Sequence, residues 1–185
     1  MEPSTDVLPP PSIMHDLAAR LARVRVPVGF AASVIALLLA HPTRNSIVAG
    51  LGIAVVGEAI RVWAAGHLEK GREVTSSGPY RFTGHPLYVG STLLGIGFAV
   101  ASNTAIVGVV AALYLGLTLG AAVRSEEAGL RAKFGGQYDA YRAGRATDSG
   151  RAFSLTRAIR NGEHRTVAGV AGVMILLALK AWLWI

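Results

Sequence analysis

The chain has 185 residues, 52% of them hydrophobic and 16% charged, with a mean hydropathy of +0.45. A soluble domain carries about 25% charged residues, so a soluble globular fold is excluded and an integral membrane protein is indicated. Cysteine is absent, which removes disulfides, thiolate catalysis and cysteine-ligated metal, and no metal is expected. The net charge of +7 does not point to nucleic acid, because the basic residues fall between apolar runs on alternate sides, as the positive-inside bias requires.

Residues 1–14 are expected to form a disordered tail. Its first part, to Ser12, is acidic and proline-rich and lacks the basic start and apolar core of a signal peptide. Residues 15–185 read as a single membrane-embedded domain. From His15 to Arg25, Leu17, Leu21 and Val24 recur at helical spacing with arginines on the other faces. That is either an amphipathic helix on the membrane surface or a basic flank that orients the first span.

Apolar runs then predict an all-α bundle of about five transmembrane helices, at 26–40, 47–66, 86–102, 104–123 and 166–185. Ser102-Asn103-Thr104 reads as the turn of a hairpin between the third and fourth spans. Lys and Arg place three residues before span one (Arg20, Arg23, Arg25) and three between spans two and three (Lys70, Arg72, Arg81). The stretch from Arg124 to Arg165 holds nine, against Arg44 and Lys180 on the other side. The N-terminus, the 67–85 loop and the 124–165 stretch are therefore expected to be cytoplasmic, in a multi-pass protein of the inner membrane. Glycines crowd spans two (50, 52, 57), three (90, 95, 97) and four (108, 116, 120), as close helix packing or the approach of a flat cofactor requires.

Titratable residues within or beside the spans are the places to look for chemistry. Glu58 and Arg61 lie three apart in span two and are expected to pair. His85-Pro86 starts span three; Pro suits the first helical turn, and the dipole there disfavours a charged imidazole. Tyr88 follows three residues later. Glu126-Glu127 ends span four, where the dipole is unfavourable to carboxylates, so a cationic partner is expected, with Arg124 and Arg131 as local options. From Glu127 to Arg142, Leu130, Phe134, Tyr138 and Tyr141 recur at helical spacing around Gly135-Gly136, predicting two short amphipathic helices that cover the cytoplasmic face. Residues 143–165 read as a basic surface segment facing anionic headgroups.

Taken together, GPYRFTGHPLYVG followed by RSEEAGLRAKFGGQYDAYR resembles the isoprenylcysteine carboxyl methyltransferase and phospholipid methyltransferase superfamily over about residues 47–142. The resemblance implies a pocket for S-adenosylmethionine at the cytoplasmic face. Arg72, Glu73, Val74, Thr75 and Tyr80 would border it, His85, Pro86, Leu87 and Tyr88 would form its floor, and Glu126 with Glu127 would approach from span four. It further implies catalytic roles for Glu126, His85 and Arg124. Glu58, Arg61, Tyr138, Tyr141 and Arg142 are candidates for substrate contacts, and Gly50-Leu51-Gly52 looks like the Gly-x-Gly element of the phospholipid branch.

The chain departs from the pattern at Gly84, where an arginine usually precedes His-Pro, and at Ala122, one turn before the carboxylates, where the isoprenylcysteine enzymes place a substrate-binding arginine. The implied activity is methyl transfer to a membrane-embedded acceptor entering from the bilayer, either an isoprenylcysteine-type carboxylate or a lipid amine. An NADPH-dependent reductase of sterol or enone type and a non-catalytic membrane scaffold are the alternative readings.

Overall fold

The computed structural model describes residue 29 and residues 31–183. The tail at 1–14 and the segment at 15–25 lie outside these residues, as does the start of the first expected span. The chain divides into two compact units, Met1–Ile35 and Ala36–Ile185. In the first, the described residues are helical, and the Ser33 hydroxyl donates to the Gly29 carbonyl at 2.8 Å. The second carries a bundle that is all-helical among the described residues.

Residues 31–39 form α1, which ends before His41-Pro42. Helix α2 runs Arg44–His67, three residues earlier than the apolar run alone predicts. The reason is a capping box: Thr43 Oγ1 accepts from the Ser46 amide at 3.2 Å, and Ser46 Oγ accepts from the Thr43 amide at 2.9 Å. After a long loop containing the 3₁₀ turn η1 (Gly78–Arg81), α3 spans Pro86–Ser102 with Pro86 in its first turn. Asn103 turns the chain in the left-handed conformation (φ 51°), and α4 follows as Ala105–Phe134.

Helix α4 departs from expectation. Its hydropathy falls at Arg124, yet the helix continues for eleven further residues, so the first of the two short amphipathic helices is the end of α4 itself. Glu, Ala, Leu, Arg and Lys favour the helix whether or not lipid surrounds them. At 30 residues it is about 45 Å long, against roughly 30 Å of hydrocarbon. It stops at Gly135, whose backbone (φ 47°, ψ −121°) an L-residue rarely adopts. The short α5 (Gly136–Arg142) then folds back, followed by α6 (Leu155–Arg160) and α7 (Glu163–Leu183). Helices α2, α4 and α7 are each long and apolar enough to cross a membrane, and α3, at 17 residues, is shorter.

The bundle centre is α2 against α3. A Cβ at Gly57 would lie 2.8 Å from the Gly90 carbonyl oxygen, and one at Gly97 would lie 2.7 Å from that of Gly50, so no side chain fits at either crossing. Gly52, Gly116 and Gly120 have open space around them, so the expectation of close packing holds for one set of glycines and not the other. Helix α7 completes the core, with Met174 and Leu177 against Ala40, Ala54 and Ala101. Its Lys180 ammonium donates to the Leu37 and Leu38 carbonyls at 2.8 and 2.7 Å, capping the end of α1.

The 143–165 stretch is exposed from 143 to 150, but its later arginines are tied to the bundle. Arg157 and Asn161 donate to the Gly66, Ala65 and Leu68 carbonyls, the open end of α2, at 2.6–2.9 Å. Arg151, Arg157 and Arg160 converge on Glu69 at 3.2, 2.8 and 3.4 Å, and Arg151 also holds Glu73 at 2.6 Å. Burial pushes the Glu69 carboxyl up, but the Arg157 hydrogen bond and the charges of Arg160 and Arg151 outweigh it and hold the group below its usual range. Arg151, Arg157 and Arg160 thus face carboxylates because the fold, not the linear order, sets their neighbours.

Candidate active site

The start of α3 and the extended end of α4 meet at His85. Its ring is half-buried and stacks on Tyr88 with centroids 5.6 Å apart. His85 Nε2 lies 3.1 Å from Glu127 Oε1, and Nδ1 lies 3.7 Å from Glu126 Oε2. Arg142 Nη1 also forms an ion pair with Glu127 Oε1 at 3.1 Å. The carboxylates thus find their direct contacts in His85, at the start of α3, and Arg142 of α5. Arg131 pairs instead with Asp139 at 3.2 Å. Arg124 is exposed and makes no hydrogen bond or ion pair among the described residues.

Helix α5 closes one side of this cluster. The Tyr141 hydroxyl donates to the Tyr80 carbonyl at 2.7 Å and to that of Thr83 at 3.4 Å. Tyr138 is fully buried, and its hydroxyl, like His85 Nδ1, has no hydrogen-bond partner. Burial raises the phenols of Tyr138 and Tyr141 above the ordinary tyrosine range. Burial raises Tyr80 in the same way, reinforced by the nearby charges of Glu126 and Glu163. All three phenols therefore serve as neutral groups here.

On the other side of Tyr80, Arg61 does not pair with Glu58. Its Nε and Nη2 grip Glu163 of α7 in a bidentate ion pair at 3.1 and 2.9 Å. Nη1 donates to the Leu87 carbonyl at 3.4 Å and to the Ser91 hydroxyl, and Nη2 also reaches Thr166 Oγ1 at 3.3 Å. A guanidinium has five N–H donors, and all five are used. Arg61 therefore joins α2, α3 and α7 and has no donor left for a substrate. Both carboxylate oxygens of Glu58 are buried without a partner.

The loop residues are spread more widely. Thr75 is buried and accepts from the Glu69 amide at 3.4 Å, Val74 is half-buried, Glu73 is held by Arg151, and Arg72 is exposed. Lys133, at the end of α4, donates to the Gly71 carbonyl at 2.6 Å and so ties this loop to the helix that carries the carboxylates. Pro86 is buried in the first turn of α3. Sequence reasoning missed Glu163. Its signals were the acidic residue at a helix start and the intramembrane Arg61 that needed a partner.

Below the polar cluster a groove of about 430 Å³ runs between α3 and α4, lined mostly by small residues that include Gly95, Ala99, Gly108, Ala112 and Gly116. It begins at Thr92, whose hydroxyl bonds the Tyr88 carbonyl at 2.9 Å.

The family model for phospholipid methyltransferase matches residues 45–137, from the first turn of α2 to the start of α5, and contains His85, Glu126 and Glu127. The chain belongs to the phospholipid methyltransferase family. Methyl transfer at a membrane is the class of activity that this family indicates. No curated protein and no solved structure matches the chain. The matched stretch ends before Tyr138, Tyr141, Arg142 and Glu163, so the residues that close the site and staple Arg61 lie outside the part that defines the family.

Proposed function

We propose that this protein transfers a methyl group from S-adenosylmethionine to an amine-bearing lipid at the cytoplasmic face of the inner membrane. The observation that carries the reading is the His85 imidazole held beside Glu126 and Glu127 where a membrane hairpin opens. The asymmetry of Lys and Arg supports the orientation.

The residues present fit the donor. Glu126 and Glu127 suit its cationic ammonium and sulfonium, and the exposed Arg124 and Arg72 suit its carboxylate. The unpartnered His85 Nδ1 and Tyr138 hydroxyl are buried polar atoms that a ligand would satisfy. When bound, the donor would supply a methyl group on a positively charged sulfur, open to in-line displacement. Alignment supplies most of the acceleration in such a reaction, and the stacked, hydrogen-bonded His85 and the strapped Tyr141 are the rigid elements for it. Glu126, partly exposed and making no hydrogen bond, holds the proton that an ammonium acceptor must shed before it can attack.

An amine is favoured over a carboxylate acceptor because no guanidinium is set aside for an acceptor's carboxylate. Arg61 has no free donor, Arg124 and Arg72 are taken by the donor's carboxylate in this reading, and Ala122 stands where a substrate-binding arginine is expected. The α3–α4 groove supports a hydrocarbon chain beside the headgroup.

Calorimetry of the purified protein in detergent tests the donor. S-adenosylhomocysteine should bind, and His85→Ala should weaken it by about tenfold, the loss of one charge-assisted hydrogen bond. Binding of NADPH in its place would overturn the reading. Glu126→Gln should lower kcat on an aminolipid in vesicles by roughly a hundredfold, and an unchanged rate would remove its role as base.

A further inference from the structure

Helix α5 is fixed to the site by the buried Tyr138 ring and by a small set of polar contacts. Arg142 Nη1 shares Glu127 Oε1 with His85 Nε2, each at 3.1 Å. The guanidinium offsets the Glu127 charge. Yet the Arg142 side chain is half exposed, at 50%, and an ion pair in contact with water is weak and readily exchanged. The remaining straps are the Tyr141 hydroxyl on the Tyr80 and Thr83 carbonyls and the exposed Arg131–Asp139 pair. At the other end lies Gly135, with positive φ and open space where a side chain would stand, as a hinge point. Beneath α5 are the buried hydroxyl of Tyr138 and His85 Nδ1, both without a partner.

We propose that Arg142 competes with the cationic end of the methyl donor for the Glu127 carboxylate, so that Arg142 must leave and α5 must swing about Gly135 before the donor can bind. This rests on the donor reading above and reverses the expected part of Arg142, which becomes a gate in place of a substrate contact. Arg142 carries the same charge to Glu127 as the donor's ammonium. While Arg142 pairs with Glu127, its charge offsets that carboxylate and leaves Glu126 alone to attract the donor's cation. Release of Arg142 frees Glu127 and loosens α5 together, because the same seven-residue helix carries Arg142, Tyr141 and Tyr138.

Two experiments on the full chain in detergent test this. Calorimetry with S-adenosylmethionine and S-adenosylhomocysteine compares the wild type, Arg142→Gln and Arg142→Lys. Arg142→Gln should bind both about threefold more tightly, the size of a half-exposed ion pair, while Arg142→Lys stays near the wild type. Amide hydrogen exchange at residues 136–142 should rise in Arg142→Gln. Weaker or unchanged binding in Arg142→Gln, with the wild type binding normally, overturns the gate and leaves the donor reading intact. A wild type that binds neither compound removes both.

The second experiment uses the absence of native cysteine. Thr83→Cys with Tyr141→Cys, bridged by a cleavable bis-maleimide, should lose S-adenosylhomocysteine binding and regain it on cleavage. Equal affinity before and after cleavage would show that α5 need not move.

Discussion

Toward α2, helix α3 presents Gly90 and Gly97, which meet Gly57 and Gly50 so closely that no Cβ fits between them. Toward α4 it presents Thr92, Gly95, Ile96 and Ala99, and there a groove of about 430 Å³ remains. Ile106, Val109, Leu113 and Leu117 of α4 face outward. Both contacts are rich in small residues, but in one the backbones touch, whereas in the other a flexible Leu115 side chain covers Gly95 and a Cβ at Gly116 or Gly120 would meet open space. Packing in a bilayer comes from van der Waals contact rather than from expulsion of water, so only the first contact holds helices together strongly. The α2–α3 pair is the frame, and α4 is the member hung on it with room alongside.

Four tests would break or sharpen this contrast. Gly57→Val should prevent assembly of the bundle, because it forces two backbones apart across the whole crossing. Overpacking of a tight core costs about 1–3 kcal/mol even where relaxation is possible. Loss of monodisperse protein in detergent checks this, and Gly116→Ala is the control that should leave yield and Tm unchanged or slightly improved.

Next in size is the staple that joins α7 to the frame. Arg61→Met or Glu163→Leu alone should cost about 3–5 kcal/mol by stranding a buried charge, whereas the double substitution should recover most of that. A double-mutant cycle by thermal unfolding measures the coupling, and additive losses would remove the pair from the frame.

On the looser side, Gly116→Leu should fill the groove. The KM for a long-chain acceptor should rise by about tenfold, the range for misfit in an apolar pocket, with the Kd for S-adenosylhomocysteine unchanged. An unaltered KM would show that the acceptor chain lies elsewhere.

The smallest effect concerns the Arg151–Arg157–Arg160 clamp. The Glu69 carboxyl is held below its ordinary value in the folded chain, so its contribution is fully present above the unfolded value. It is lost as pH falls through the folded one. Stability should therefore decline on acidification below about pH 4, and Glu69→Gln should flatten that decline. An identical acid profile in Glu69→Gln would place the clamp outside the stability of the fold.

Much of the fold was legible because hydropathy and helix signals act locally. The third span, 86–102, coincides with α3 since Pro86 and Asn103 mark its ends in the sequence itself. The end of α4 was not, because hydropathy reports the lipid boundary while the helix obeys propensity as far as Gly135. In the site, His85, Glu126 and Glu127 could be placed together from the hairpin alone. The partners of Arg61 and Glu127 could not, since Glu163 lies 102 residues from Arg61, and Arg142 reaches Glu127 only because Gly135 folds α5 back.

The sequence by itself determined a membrane-embedded all-helical chain, the hairpin that unites His85 with the carboxylates, and the family, because each follows from patterns contiguous along the chain. Only the tertiary structure decided which charges neutralise which, which glycines are packed, and which side of α3 stays open. Those depend on electrostatic and steric contacts between segments far apart in sequence, and a buried charge takes whichever partner the packing brings within reach.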